Sequence, residues 1–548
     1  MNTDASLTKA GAPRGWLHAM RAVMTSPLLL ALVIALSFFW SLGSMPLYDL
    51  DEGAFTEATR EMLASGNFIT PHKDGEPRYD KPALIYWLQG GSTQVLGFNE
   101  FALRLPSALA ATLWVMALWL FVRERLDAPT ATVAGLVMAL SLQVSLIGKA
   151  AVADALLNLF IVLTFFEIYR FYLNPDPKAN RGAILRAYLW MGLGFLTKGP
   201  VAVFFPLVVS FLFFLSGIRW SKPSLLAFGR WFKAAFDPLG WLVFLLVAGP
   251  WYLAIYLDNG AGFFRSFFLD HNLGRFGDAM HGHGGFPGYY LVILLLILLP
   301  FTGWLLNLVK SYRSAWSDPL DRFLWIWFLV VILFFSFSGT KLPHYLLYGA
   351  TPLFILMARH RDALTNRWLA FAPPLIFFAL LVALPFILDV AMVLAKKPYD
   401  AILLEEGRIA IDREYGVVAL AGFFLTVLLF WWSRPALWPR LVLVGIIQTL
   451  VVYGALAPRV LDTMQGPVKE AALLAKRMDL PTVVYRTSMP SFSVYREAIT
   501  PSRVPRPGEL VFLRVDKLEQ LTRDNPGLNL ELAYHRGPVA LLRARPAE

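Results

Sequence analysis

Long apolar stretches alternate along this chain with short polar connections. Ser26–Trp40, Tyr289–Leu308, Phe323–Phe337 and Trp368–Leu388 carry almost no charge. Such runs approach the roughly 20 residues that take a helix across a bilayer, and they lack the alternation of barrel strands. Threading them through the connections predicts about thirteen membrane helices, with the first residues on the cytoplasmic side and the last outside. The run from Pro27, preceded by Arg14 and Arg21, passes directly into an acidic loop without a small-residue cleavage site. It therefore reads as a retained first span.

Three external segments break the apolar pattern, at about residues 42–99, 258–288 and 396–415. In the first, Ala54, Phe55, Ala58, Met62 and Leu63 recur at helical spacing. That stripe predicts an amphipathic helix lying flat on the membrane surface. After Pro458 the hydropathy falls. Gln465–Met478 reads as a second amphipathic helix, and Thr482–Tyr485, Glu509–Leu513 and Val539–Leu542 read as strands. The expected fold class is an all-α polytopic membrane protein, residues 1–458, followed by a small external α/β domain, residues 459–548.

Composition agrees: 57% of residues are hydrophobic and 16% are charged, against about 25% charged in soluble proteins. The net charge of +11 would suit nucleic acid, but its distribution argues otherwise. Arg123 and Arg125, Lys178, Arg181 and Arg186, and Arg359, Arg361 and Arg367 sit in connections that alternate with those carrying Asp51, Asp154, Asp258 and Asp270. That is the positive-inside pattern of membrane topology. With no cysteine, disulfides and thiolate metal sites are excluded.

Candidate chemistry gathers on the acidic face. Carboxylates beside a membrane span are costly and default to a functional reading, which singles out Asp51, Glu52 and Asp154. Lys81, Lys198, Arg265, Arg275 and Lys341 are the cations expected to join them, and clustered Lys and Arg suit a phosphate. Arg60, Tyr86 and Tyr345 complete the candidate substrate-binding set. Plainer readings stand beside these: Asp80 and Lys81 as a local ion pair, Lys198 snorkelling to the interface, Asp154 as a helix cap, and Arg104 as a lipid-headgroup contact. No cofactor is required. A divalent cation at Asp80, His271, His281 and His283 stays open, against a solvated Gly-rich turn for the two later histidines.

Asp51-Glu52 after the first span, Lys81-Pro82 with Tyr86-Trp87, Leu196-Thr197-Lys198-Gly199-Pro200, His271-Asn272-Leu273-Gly274-Arg275-Phe276 and Lys341-Leu342-Pro343-x-Tyr345 resemble the bacterial GT-C glycosyltransferases. These are relatives of the protein O-mannosyltransferases, and the resemblance is closest to the lipid A aminoarabinose transferases. It covers about the first 360 residues.

The resemblance implies a GT-C fold in the bacterial inner membrane, with the tail domain in the periplasm. It also implies transfer of 4-amino-4-deoxy-L-arabinose from undecaprenyl phosphate to lipid A, with resistance to cationic peptides. Asp51 would be the principal catalytic carboxylate, with Asp154 as the second acidic group. Lys81 would hold the polyprenyl phosphate, helped by Arg275 and Lys341, and Tyr345 would line the cavity. Two alternatives remain at this stage. One is transfer to a protein hydroxyl or a cell-wall glycan; the other is a lipid flippase without chemistry, which would want polar groups at the midplane and on both faces.

Overall fold

The computed structural model describes residues 14–174, 176–217, 222–274, 286, 288–309 and 316–546. Among them, six helices are long and apolar enough to cross a membrane: Glu100–Arg125, Asp154–Leu173, Phe228–Asn259, Pro319–Phe337, Arg413–Trp431 and Leu437–Met478. Three more arise if each bent pair forms one span. These are His18–Met24 with Pro27–Phe39, Ala128–Leu140 with Leu142–Lys149, and Arg367–Val382 with Leu384–Leu394, bent by 49°, 68° and 65°. Large apolar side chains such as Leu257, Phe337 and Val393 face outward, as lipid-facing residues would.

Local chemistry sets the ends of these helices. Asn99 and Asp318 cap the helices that follow them, accepting from Ala102 N and from Leu320 N and Asp321 N, so otherwise orphaned amides are satisfied. Inside the bundle Phe121 stacks on Phe166 at 3.9 Å. Trp327 donates to the Tyr348 carbonyl at 2.7 Å, and Trp114 donates to Thr351 Oγ1 at 2.9 Å. The first holds the Pro343–Gly349 3₁₀ segment, which carries part of the polar cluster described below, and the second holds the start of the helix Thr351–Arg359 that follows it.

The first loop departs from expectation. Its helix, Asp51–Ser65, starts on two acidic residues that suit the positive end of a helix dipole, and it ends at Gly66 in a left-handed conformation (φ 70°). Yet its polar face is not open to solvent. Its polar residues Glu52, Thr56, Glu57, Thr59, Arg60 and Glu61 are buried along with the apolar stripe. Helix Leu84–Leu96, with Thr59 bonded to Gln89 at 2.7 Å, covers one side, and the short helix Ser491–Arg496 from the tail packs against another. A stripe shows where a helix buries apolar area; it says nothing of a distant domain that covers the polar side. Beyond this helix, β1 (His72–Lys73) and β2 (Glu76–Pro77) form a small hairpin.

The tail holds a four-stranded sheet of β3 (Thr482–Val484), β4 (Leu510–Arg514), β5 (Leu528–Arg536) and β6 (Val539–Pro546), in the order β3-β4-β6-β5. β3 runs parallel to β4, and the other pairs are antiparallel. Both faces are covered: Val468, Ala471, Phe492, Phe512 and Leu541 pack on one, and Val511, Leu513, Leu521 and Leu542 on the other. β5 escapes the sequence reading because it is an edge strand with no fully buried residue. The Leu437–Met478 helix passes through residue 458 without a break in the chain's helical course, a π-helical turn at Val452–Leu456 apart.

Candidate active site

Asp154 is the first residue of its helix, but the flanking cap position is Ala153 and has no side-chain cap. The Asp154 carboxylate points instead to other helices. Oδ1 accepts from Lys198 Nζ at 2.6 Å and from the Tyr348 hydroxyl at 2.9 Å, and His344 Nε2 stands 3.7 Å away. Lys198 therefore does not snorkel. It also donates to Tyr348 at 2.9 Å and lies 5.6 Å and 5.7 Å from the Tyr345 and Tyr348 ring centroids. Tyr345 is buried and stacks on Phe335. The aromatic faces favour the ammonium, and the carboxylate is matched by a cation and a hydroxyl, as a buried charge requires. Tyr348→Phe, which deletes one of these bonds, is expected to cost about 1–2 kcal/mol, read as a lowered thermal midpoint with the Asp154–Lys198 pair retained.

Asp51 and Lys81 stand near this cluster, close enough for their charges to act on His344. The Asp51 side chain belongs to an exposed residue. Lys81 is buried, and its Nζ donates to the Asp80 carbonyl at 2.7 Å. The Asp80 carboxylate pairs with Arg78 at 2.8 Å, so the local ion pair expected between Asp80 and Lys81 has a different partner. Arg78 is largely buried, donates to the Ala54 carbonyl, sits 5.2 Å over the Phe55 ring and faces both Tyr86 and Asp51. Burial pushes the Tyr86 phenol up to about 12.

Glu52 has a different setting from its neighbour. Oε1 accepts from Arg104 Nε at 2.7 Å and Ala151 N at 2.8 Å; Oε2 accepts from Arg104 Nη2 at 2.7 Å and Tyr48 N at 2.9 Å. Its four lone-pair sites are filled, which leaves nothing for a substrate. Burial alone would raise this carboxyl, but Arg104 and the Tyr48 and Ala151 amides together outweigh it and hold Glu52 below the usual carboxylate range. Arg104 is 3% exposed, and it also donates to the carbonyls of Leu42, Met45 and Pro46. The expected headgroup contact is thus a buried anchor that ties the start of the loop to the Glu100–Arg125 helix.

Other expected site residues lie elsewhere or have other partners. Arg60 donates twice to Glu57, at 2.6 and 2.8 Å. Lys341 donates to the carbonyls of Ser336 and Ser338, closing the end of the Pro319–Phe337 helix. Arg265 is exposed in the π-helical segment Arg265–Leu273. The His271 side chain and the whole of Arg275, His281 and His283 lie outside the described residues. Among the described residues no group of three or more His, Asp or Glu has metal-binding geometry. Three contributors were absent from the expected set: Arg78, His344 and Tyr348. His344 had one signal, its place between Pro343 and Tyr345 in an otherwise apolar stretch.

A family model for dolichyl-phosphate-mannose-protein mannosyltransferases matches residues 80–251. An undecaprenyl phosphate-alpha-4-amino-4-deoxy-L-arabinose arabinosyl transferase of Aeromonas salmonicida is 30% identical over 436 residues, 76% of this chain and 75% of the relative. The chain belongs to this arabinosyl transferase family. A family member from Edwardsiella ictaluri is 32% identical over 339 residues, and there the match spans 62% of this chain and 59% of the relative. The Cupriavidus metallidurans ArnT structure bound to undecaprenyl phosphate superposes with a TM-score of 0.76 at 20% identity, covering 94% of this chain and 97% of that one. The arabinosyl transferase family fold is therefore present across nearly the whole chain, in a multi-pass membrane protein.

Proposed function

We propose that this protein transfers 4-amino-4-deoxy-L-arabinose from undecaprenyl phosphate to phosphate groups of lipid A at the periplasmic face of the inner membrane. The observation that carries this reading is family membership, joined to a site in which one open carboxylate, Asp51, lies near buried cations. An acceptor phosphate is ionised at neutral pH and needs no base. Its oxygen attacks the anomeric carbon, the bond from that carbon to the donor phosphate oxygen breaks, and undecaprenyl phosphate leaves with the electron pair. No proton changes hands. Asp51 then stabilises positive charge developing on the sugar ring. Lys81 neutralises the departing phosphate, with Arg275 and Lys341 as helpers. Asp154, held by Lys198 and Tyr348, keeps the cation and the 3₁₀ segment in register.

The same reading includes thirteen spans. Four further helical segments, Pro177–Lys198, Val201–Ser216, Tyr289–Ile297 continued by Thr302–Val309, and Pro343–Gly349 continued by Thr351–Arg359, would add to the nine that qualify by length and composition. The odd total leaves the first residues in the cytoplasm and the tail domain, residues 459–548, in the periplasm. The mannosyltransferase match favours one second reading, a hydroxyl acceptor. That chemistry needs a proton acceptor and would produce a pH–rate limb near a carboxylate pKa.

The deciding experiment supplies the purified protein with undecaprenyl-phosphate aminoarabinose and lipid A. Mass spectrometry should show lipid A heavier by one aminopentose and free undecaprenyl phosphate released in equal amount. Lipid moved between leaflets without cleavage, or a gain only on a hydroxylated acceptor, would overturn the assignment.

A further inference from the structure

Helix Ser491–Arg496 is six residues long, yet every second residue on it grips the first loop. Ser491 N donates to Asp49 Oδ1 at 2.9 Å, and the Ser491 hydroxyl lies 2.5 Å from Asp49 Oδ2. Ser493 donates to Asp74 Oδ1 at 3.2 Å. Tyr495 accepts from Leu47 N at 2.7 Å and donates to Glu100 Oε1 at 3.0 Å, where Lys469 also pairs. Ser491 and Asp49 are buried, and 442 residues separate them along the chain. Gly53 closes the arrangement. A Cβ there would stand 2.1 Å from Asp49 Oδ1 and 2.8 Å from Ser491 N, so no side chain fits where the loop helix meets the tail.

Asp51 lies two residues from Asp49, at the start of the helix pressed on by this contact. We infer that the tail domain is a positioning element of the reaction: Ser491 clasps Asp49 and so sets where Asp51 stands at the mouth of the site. The inference rests on the reading of Asp51 as the reacting carboxylate. A displacement of about 1 Å in a reacting group can cost 100-fold in rate, so a contact outside the chemistry can govern it.

The clasp has a pH signature. Burial pushes the Asp49 carboxyl up to about 7. The Ser491 hydrogen bonds oppose that shift, and the carboxylates of Asp74 and Glu52 add to it. Tyr48 and Tyr399 also face it. Protonated Asp49 still accepts the Ser491 amide and can share its proton with the hydroxyl. A raised carboxyl pKa means that the clasped state holds a proton which the released state gives up. The clasp is therefore complete below the ordinary carboxylate pKa, and it weakens as pH rises through about 7.

The test uses the full chain in lipid nanodiscs, with undecaprenyl-phosphate aminoarabinose and lipid A. Ser491→Ala should lower kcat about tenfold or more with donor KM nearly unchanged, and should speed hydrogen exchange in residues 47–55. Ser491→Thr, which keeps the hydroxyl, should restore most of the rate. Asp49→Asn keeps an acceptor for the Ser491 amide without the ionisation, and should abolish the fall in kcat as pH rises to about 7. Wild-type kcat and exchange in Ser491→Ala, or an unchanged pH profile in Asp49→Asn, overturns the inference even if one variant folds poorly. Asp51→Asn, run in parallel, separates the two readings. If it remains active, the role of Asp51 fails. If it is dead while Ser491→Ala is normal, the clasp alone fails.

Discussion

Asp51→Asn should reduce sugar transfer by about 10²–10³-fold while leaving the thermal midpoint at its wild-type value. The magnitude is that of removing one preorganised charge from the place where charge develops in the transition state. The unchanged stability follows from exposure: Asp51 is the solvent-facing residue of its helix start, whereas Glu52 beside it is buried. The three candidate carboxylates differ in what they have left to offer. Glu52 has four donors on two oxygens, and Asp154 is matched to Lys198 and Tyr348. Asp51 retains an open face. Release of undecaprenyl phosphate under single turnover is the measurement. Near-normal release from Asp51→Asn, with loss in Lys81→Ala, would move the burden of catalysis onto the cations.

Arg104→Ala should be the most destabilising single change at the loop, by about 3–5 kcal/mol, because it leaves Glu52 buried and unpaired. Buried ion pairs can often be replaced by apolar residues at little cost, but this one differs. Arg104 also satisfies three carbonyls, of Leu42, Met45 and Pro46, and each unsatisfied buried acceptor carries its own penalty. The double change Arg104→Met with Glu52→Gln should therefore recover only a minor part of the lost stability. Thermal unfolding of the detergent-solubilised protein decides it. Full recovery in the double variant would mean that the carbonyl contacts contribute nothing.

The helical bundle was readable from hydropathy because a membrane span is a local property of about 20 residues. Asp51, Lys81, Asp154 and Lys198 stood out because charge is rare in such a chain. What stayed hidden depends on partners far along the sequence. Arg104 looked like a headgroup contact because nothing near it shows that Glu52, 52 residues earlier, turns back to meet it. The loop helix looked like a surface helix because its cover, Ser491–Arg496, is more than 400 residues away. Tyr348 lies in an apolar stretch that gives it no signal of its own, yet its hydroxyl is bonded to both Asp154 and Lys198.

The last membrane helix and the first helix of the tail are one rod, interrupted only by a π-helical turn at Val452–Leu456. A rod fixes phase as well as distance. Each residue inserted between that turn and Met478 would rotate everything beyond it by about 100° and advance it by about 1.5 Å. The sheet and its gripping helix therefore have one allowed angular setting above the first loop. Natural length variation in this stretch should be confined to changes that preserve the turn of the helix, whereas the loops beyond the rod are free to vary.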